Sequence, residues 1–342
     1  MNSDNDLKDL RQHLDRIDSN ILRLLDERLL VSQKMANVKE RLGLPLYSKE
    51  REQAIISKLR AQARHPELRE AIINIFGPIL ELSKTVQAAR RLDISQKEAP
   101  SMTVGIIGYG RFGSLMADVL QKHWPRAKVK VCSRSHKPDG QLFFSLAEVA
   151  QCDIIVPCMP ISALPTVLRE LKPLLGVKST IIDICSVKVE PVRWLKEILG
   201  PAAQIIASHP MFGPDSTRHG TRFNGLSMVL HNISAPAAIY ETWAGFWQKL
   251  GVTIIDLTPE EHDRLAASTM TYSFLIGRVS ELVGIHRTPI DTKAFEHIYE
   301  SMEYIIHDSW ELFCDIQKYN PYSAEIRKKV AAALETIEKK LL

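Results

Sequence analysis

The chain has 342 residues, 45% of them hydrophobic and 25% charged, with a net charge of +4. That length allows two or three domains and a sizeable core, and the composition is that of an ordinary globular protein. Cations and anions are interspersed, so the charge favours small anionic substrates over nucleic acid, and no apolar run reaches the ~18 residues of a membrane span.

The first residues, MNSDNDLKDL, are acidic and polar and do not read as a signal peptide. Five cysteines, Cys132, Cys152, Cys158, Cys185 and Cys314, form no CxxC pair and no metal-ligand spacing. They read as reduced thiols of a cytoplasmic protein, and no metal is expected.

Residues 1–92 read as an all-helical module. Apolar residues recur at 7, 10, 14, 17, 21, 24, 31, 35, 38 and 42, a heptad spacing that predicts one helix from Leu7 to about Leu42. Such a helix has no core of its own. The stripe is broken by Arg28, a charge that is costly in a seam unless paired. Alone, Arg28 also reads as a side chain that snorkels to water. Gly43-Leu44-Pro45 ends the helix. A second begins near Ser48 and carries Arg51 and Glu52. After His65-Pro66 a third runs from about Glu67 to Arg90, with Ser83 and Gln87 on one face at i, i+4. Arg11 and Lys39 flank the stripe 28 positions apart, about 42 Å along a helix. Both can touch one small ligand only if Arg11 comes from a second chain, which predicts an intertwined homodimer.

Residues 93–101 are polar, end in Pro-Ser and read as a linker. From residue 102 to 258, strand and helix patterns alternate, which predicts a mostly parallel sheet with helices on both faces. Candidate strands are 103–107, 128–132, 153–158, 179–184, 204–207, 226–230 and 252–256. The first runs into Gly108-Tyr109-Gly110-Arg111-Phe112-Gly113, then an amphipathic helix. Strand, turn and helix in that order are a Rossmann-type dinucleotide turn: a tight bend, close backbone approach to a pyrophosphate, and helix N–H groups facing the phosphates. No acidic residue stands between Val129 and Pro138 to hold a ribose 2′-hydroxyl; Ser133-Arg134-Ser135 offers a guanidinium and hydroxyls suited to a 2′-phosphate. NADP is therefore favoured over NAD. The alternative is a solvated arginine, with NAD bound through other contacts.

Two further strand ends are dense in polar and rigid residues: Asp183 to Lys188, and Ser208-His209-Pro210-Met211-Phe212-Gly213-Pro214-Asp215. A histidine beside a nucleotide site is a candidate general base, since its ordinary pKa lies near neutrality. Residues 259–342 read as a helical tail, with helices at about 260–283, 293–318 and 324–341. Thr258-Pro259-Glu260-Glu261 marks the first helix start.

The stretches LRQHLDRIDSNILRLLDERLLVSQKMANVKE, KEREQAII and LELSKTVQ resemble the all-helical chorismate mutases over about residues 5–90. The resemblance implies that Arg11, Arg28 and Arg51 hold the carboxylates of chorismate. Lys39 and Gln87 would donate to its ether oxygen, Glu52 would accept from its ring hydroxyl, and Ser83 would contact a carboxylate. Ser48 departs from the family, which often has Asp there. The reaction needs no nucleophile or metal, only a held conformer and charge stabilised on the ether oxygen.

HPMFGPD after the glycine turn resembles the prephenate and arogenate dehydrogenases of tyrosine biosynthesis, over about Met102 to Asn320. It implies that His209 accepts from the ring 4-hydroxyl, that Ser186 and Lys188 shape the site, and that the tail docks on its twin and closes over substrate. Glu261-His262-Asp263-Arg264 is an element of that family. Two departures bear on the substrate. Tyr272-Ser273-Phe274 stands where many relatives carry a histidine. Glu300 follows Ile298-Tyr299 where bacterial enzymes carry a carboxylate-binding arginine, and the surrounding DTKAFEHIY and DSWELFCDIQKYNP look like plant-type arogenate enzymes. The expectation is a bifunctional enzyme making prephenate from chorismate, then oxidatively decarboxylating prephenate. Fusion to a mutase argues for prephenate; the tail argues for arogenate. An amino-substituted prephenate and a nucleotide-binding regulatory role are the remaining alternatives.

Overall fold

The computed structural model describes residues 3–42, 49–95, 101–217 and 223–342. Gly43 to Ser48 and most of the expected linker lie outside them. The chain divides into two compact units near residue 98.

The first unit is helical: α1 Ser3–Arg41, α2 Lys49–Gln62 and α3 Pro66–Ser95. Residues 93–95, expected in the linker, continue α3. The unbroken α1 follows from its long apolar period, yet the whole of that stripe is bare. Leu7, Leu10, Leu14, Ile17, Ile21 and Leu24 are each at least 41% exposed. Among the described residues, the buried apolar side chains of this unit are Ala36, Ala63, Ile72 and Leu80.

The second unit opens as a doubly wound sheet: β1 Met102–Ile107, α4 Arg111–His123, β2 Ala127–Cys132, α5 Leu146–Val149, β3 Ile154–Pro157, α6 Leu164–Leu171, β4 Thr180–Asp183, α7 Val189–Leu199, β5 Gln204–Pro210, β6 Ser227–Asn232, α8 Ala237–Lys249 and β7 Thr253–Ile255. The strand order is β2-β1-β3-β4-β5-β6-β7, parallel except for the β5–β6 pair. Strands covered on both faces need continuous apolar runs. Ile154 to Val156, Ile181-Ile182 and Ile205 to Ala207 supply them, each at most 1% exposed. The chain reverses direction across the sheet between β1 and β3, so the crevice beyond their carboxyl ends is where such folds bind ligands.

The tail is helical: α9 Pro259–Ala266, α10 Tyr272–Val283, α11 Lys293–Ile306, α12 Trp310–Tyr319 and α13 Ser323–Leu341. Thr258 caps α9 with a reciprocal box, accepting from the Glu261 N–H while the Glu261 carboxylate accepts from the Thr258 N–H. Two expected helices are in fact broken. The stretch 260–283 is interrupted by a π turn at Ala267–Thr271, where Ser268 and Thr269 hydroxyls both bond the Leu265 carbonyl. The stretch 293–318 parts at His307 to Ser309, because the Ser309 hydroxyl accepts from the Leu312 N–H and starts a new helix. No helix among the described residues is long and apolar enough to cross a membrane.

Candidate active sites

In the helical unit, Arg28 on α1 faces Ser83 on α3. Its guanidinium donates to the Ser83 hydroxyl and, at 3.3 Å, to the Ile79 carbonyl. Burial lowers the pKa of Arg28 and of Lys39, yet a guanidinium stays charged in proteins. The seam thus holds positive charge partly withdrawn from water. Gln87, one turn beyond Ser83, is buried and its amide oxygen has no hydrogen-bond partner among the described residues. Such an orphan is costly unless a ligand or water meets it. Glu52 of α2 is joined to Lys84 at 2.6 Å, and Lys84 also holds Glu81 at 2.7 Å. Sequence reading missed Lys84, which stands beside Ser83 and has no period of its own to mark it. Arg11 and Arg51 are exposed. Arg11 and Lys39 lie on one continuous helix, so the ~42 Å between them stands.

In the second unit, the glycine turn follows β1. Gly108 sits at φ +105°, and a Cβ there would lie 2.3 Å from the Cys158 carbonyl oxygen. A Cβ on Gly113 would lie 2.2 Å from the Gly108 carbonyl oxygen, whereas one on Gly110 would meet nothing within 4 Å. Gly108 and Gly113 are therefore needed by packing, and Gly110 faces open space. Helix α4 starts at Arg111 with no side-chain cap, so its first N–H groups are left for another acceptor. This pattern fits a pyrophosphate. The Tyr109 ring packs edge-on against His136 and Phe143. Arg111 points its guanidinium at Asp215, 2.6 Å, and at the His307 carbonyl, 3.3 Å. Ser133 and Ser135 bond each other at 2.9 Å at the end of β2, and Arg134 between them is exposed. Phe112 is half-buried on α4.

His209 ends β5 almost fully buried, 5% exposed. Its Nδ1 lies 2.8 Å from His262 Nε2, and His262 Nδ1 lies 2.8 Å from an Asp263 carboxylate oxygen. Asp263 is itself fixed. It accepts from the Lys188 N–H at 2.7 Å and the Val189 N–H at 2.9 Å, capping α7 from across the fold. Asn320 donates to the Asp263 carbonyl at 2.8 Å. This chain of bonds sets the tautomers. An ionised carboxylate only accepts, so His262 Nδ1 carries the proton and His262 Nε2 is an acceptor. His209 Nδ1 then donates to it, and His209 Nε2 is left as a bare lone pair. Burial, then the neighbouring His262 and Lys188, hold the His209 pKa well below its ordinary value. The ring is therefore a neutral base at physiological pH.

Lys188 is 1% exposed, and its ammonium is committed to Asp183 and the Ser208 carbonyl. It ties β4 to the strand carrying His209 and lends its charge at one remove. Ser186 is half-buried on the same β4–α7 loop. Sequence reading named Glu261 to Arg264 as a family element but gave His262 and Asp263 no role. A histidine followed by an acid within the first turn of a helix was the available signal.

The chorismate mutase type II family matches residues 10–88, the nucleotide-binding domain of prephenate dehydrogenase matches 140–255, and the TYRAAT1-like C-terminal domain matches 279–342. The chain is 28% identical over 266 residues to arogenate dehydrogenase 2 of Arabidopsis thaliana, covering 73% of each chain. It is 30% identical over 214 residues to the T-protein of Haemophilus influenzae, covering 61% of this chain and 53% of that one. It is 34% identical over 82 residues to the chorismate mutase of Methanocaldococcus jannaschii, covering 24% of this chain and 83% of that one. Prephenate dehydrogenase of A. aeolicus, solved with hydroxyphenyl propionate and NAD+, shares the fold of the second unit. Its TM-score is 0.51 at 18% identity, over 71% of this chain and 89% of that one. The helical unit belongs to the chorismate mutase family and the second unit carries a prephenate/arogenate dehydrogenase-like domain, an isomerase module and an oxidoreductase module on one polypeptide.

Proposed function

We propose that the chain rearranges chorismate to prephenate in its helical unit and then converts prephenate to 4-hydroxyphenylpyruvate in its second unit, with NADP as the favoured oxidant and NAD as the lesser one. The observation that carries the second activity is the His209–His262–Asp263 chain, which leaves an unprotonated Nε2 at the end of β5 on the carboxyl edge of the dinucleotide sheet. A bound nicotinamide supplies the hydride acceptor. His209 Nε2 accepts the proton of the ring 4-hydroxyl as hydride leaves C4. The C–CO₂ electron pair flows into the ring, CO₂ departs, the ring becomes aromatic, and the proton returns to the phenol oxygen. Asp263, through His262, supports the positive charge that His209 carries in the transition state.

The mutase reading rests on Arg28, Lys39, Glu52, Ser83 and Gln87 in one helical unit, with Arg11 and Arg51 as carboxylate-binding groups. The long α1 with its bare stripe supports a homodimer in which Arg11 comes from the partner chain. Free cysteines support a cytoplasmic setting. A second reading has arogenate as the dehydrogenase substrate: Glu300 would suit an ammonium, and a relative covering 73% of the chain is named an arogenate dehydrogenase. Purified protein given prephenate or arogenate in parallel, with reduced cofactor followed, decides between them. Turnover of arogenate at tenfold or more the prephenate kcat/KM would replace the first reading by the second.

A further inference from the structure

Helix α3 packs against both α1 and α2, and successive residues on a helix point about 100° apart. Ser83 therefore meets Arg28 on α1, while Lys84, the next residue, meets Glu52 on α2. Gln87 follows Lys84 by three positions and Ser83 by four, so it lies on the surface shared by the two. Its buried amide oxygen, unpartnered among the described residues, marks the place that a ligand or water would fill. Lys84 thus stands at the edge of the same seam as Arg28.

The Lys84 ammonium spans the Glu52 carboxylate, 2.6 Å from one oxygen and 2.8 Å from the other. It also donates to a Glu81 oxygen at 2.7 Å. Burial works against the charge on Lys84, but the hydrogen bonds to Glu52 and Glu81 outweigh it and raise its pKa. Lys84 is the least exposed of the three side chains and Glu81 the most, so Glu81 serves as the outer anchor. An ammonium lying across both oxygens of a carboxylate leaves lone pairs on each for a further donor. Without it, Glu52 and Glu81 would be two like charges in one site, which drives one of them to take up a proton. A protonated Glu52 would be a donor in place of an acceptor.

We propose that Lys84 is a positioning residue of the mutase reaction, holding Glu52 ionised and turned so that its carboxylate accepts from the ring hydroxyl of chorismate. The proposal rests on the mutase reading of Glu52 given above and adds to it the group that fixes that carboxylate. Lys84 acts through Glu52 and touches no reacting atom itself. Its effect on the reaction therefore exists only while Glu52 is present.

The test is a double-mutant cycle on the full chain, with mutase kcat/KM read from the disappearance of chorismate. Lys84→Met removes the ammonium and keeps an unbranched side chain. It should lower kcat/KM about tenfold or more where Glu52 is present. In a Glu52→Gln chain the same change should cost no more than about twofold, because the group through which Lys84 acts is gone. Lys84→Arg, whose guanidinium can also span both carboxylate oxygens, should stay within about threefold of wild type. Should Lys84→Met fail to fold by circular dichroism, Lys84→Gln, which keeps a donor without the charge, enters the cycle with the same expected result. An equal loss in both backgrounds, as a merely structural lysine would give, or no loss in either, would overturn the positioning role while leaving the mutase reading in place. No loss in Glu52→Gln alone would remove the reading of Glu52, and Lys84 with it. A wild-type chain that leaves chorismate intact would remove the mutase reading itself.

Discussion

The two units solve the problem of placing charge away from water in opposite ways. In the sheet unit, Lys188, Asp183, His209, His262 and Asp263 are all buried, and each is matched within the unit by a strand end, a helix start or another side chain. In the helical unit, four small or aliphatic residues form the described apolar core, while a stripe of leucines and isoleucines on α1 stays bare. Arg28 reaches from α1 to Ser83 and the Ile79 carbonyl of α3. The sheet unit can therefore hold a pre-set base, whereas the helical unit leaves an apolar stripe bare on the single chain. The lesson is that a general base needs a built-in tautomer, while a pericyclic reaction needs only fixed charge and a snug volume.

The comparison predicts separable losses. The largest is expected for His209→Asn, which should lower dehydrogenase kcat by about 10²- to 10⁴-fold and leave the mutase rate untouched. Loss of both activities would mean the units are not independent. Arg28→Ala should do the reverse, lowering mutase kcat by about 10²- to 10³-fold with cofactor reduction from supplied prephenate unchanged. Asp263→Asn should cost about 10- to 100-fold in dehydrogenase kcat, because an amide can present a donor to His262 and upset the tautomer chain. An Asp263→Asn enzyme at full rate, with a normal thermal midpoint, would remove the relay from the account.

Smaller effects sharpen the contrast. Mixing inactive Arg11→Ala and Lys39→Ala chains should restore up to about a quarter of the mutase sites, since a mixed dimer carries one intact and one doubly damaged site. No recovery after denaturation and co-refolding of the mixture would place Arg11 and Lys39 outside a shared site. Last is pH. His209 is held neutral when folded, with its pKa well below the ordinary histidine value. The unfolded chain takes up that proton near pH 6.5, so stability falls as pH drops below about 6.5 and is flat above it. Dehydrogenase kcat/KM should likewise be level through neutral pH and fall only well below 6.5. A fall that begins above pH 7 would contradict a buried, neutral His209.

Much of this was legible in the chain. The period-seven stripe marked α1, the interrupted run of glycines marked the dinucleotide turn, and each apolar run became a strand within a residue or two, except β5, which runs three residues further because Ser208 to Pro210 pair with β6. What stayed hidden was set by tertiary contacts. The breaks at Ala267–Thr271 and His307 to Ser309 depend on hydroxyls that choose backbone partners only once the helices are packed. The pairing of His209 with His262 joins residues 53 positions apart, and the capping of α7 by Asp263 spans 75. No local pattern encodes either. Lys188 was expected as a shaping residue only through the family resemblance, and its partners Asp183 and Ser208 came from the sheet register.

The central claim, one chain with two consecutive activities, is met most directly by a single cuvette. It would hold the purified chain, chorismate as the only organic substrate, and NADP or NAD, with reduced cofactor followed by absorbance. Reduction from chorismate alone is expected after a lag while prephenate builds up, faster with NADP. Disappearance of chorismate with no reduction by either cofactor would contradict it.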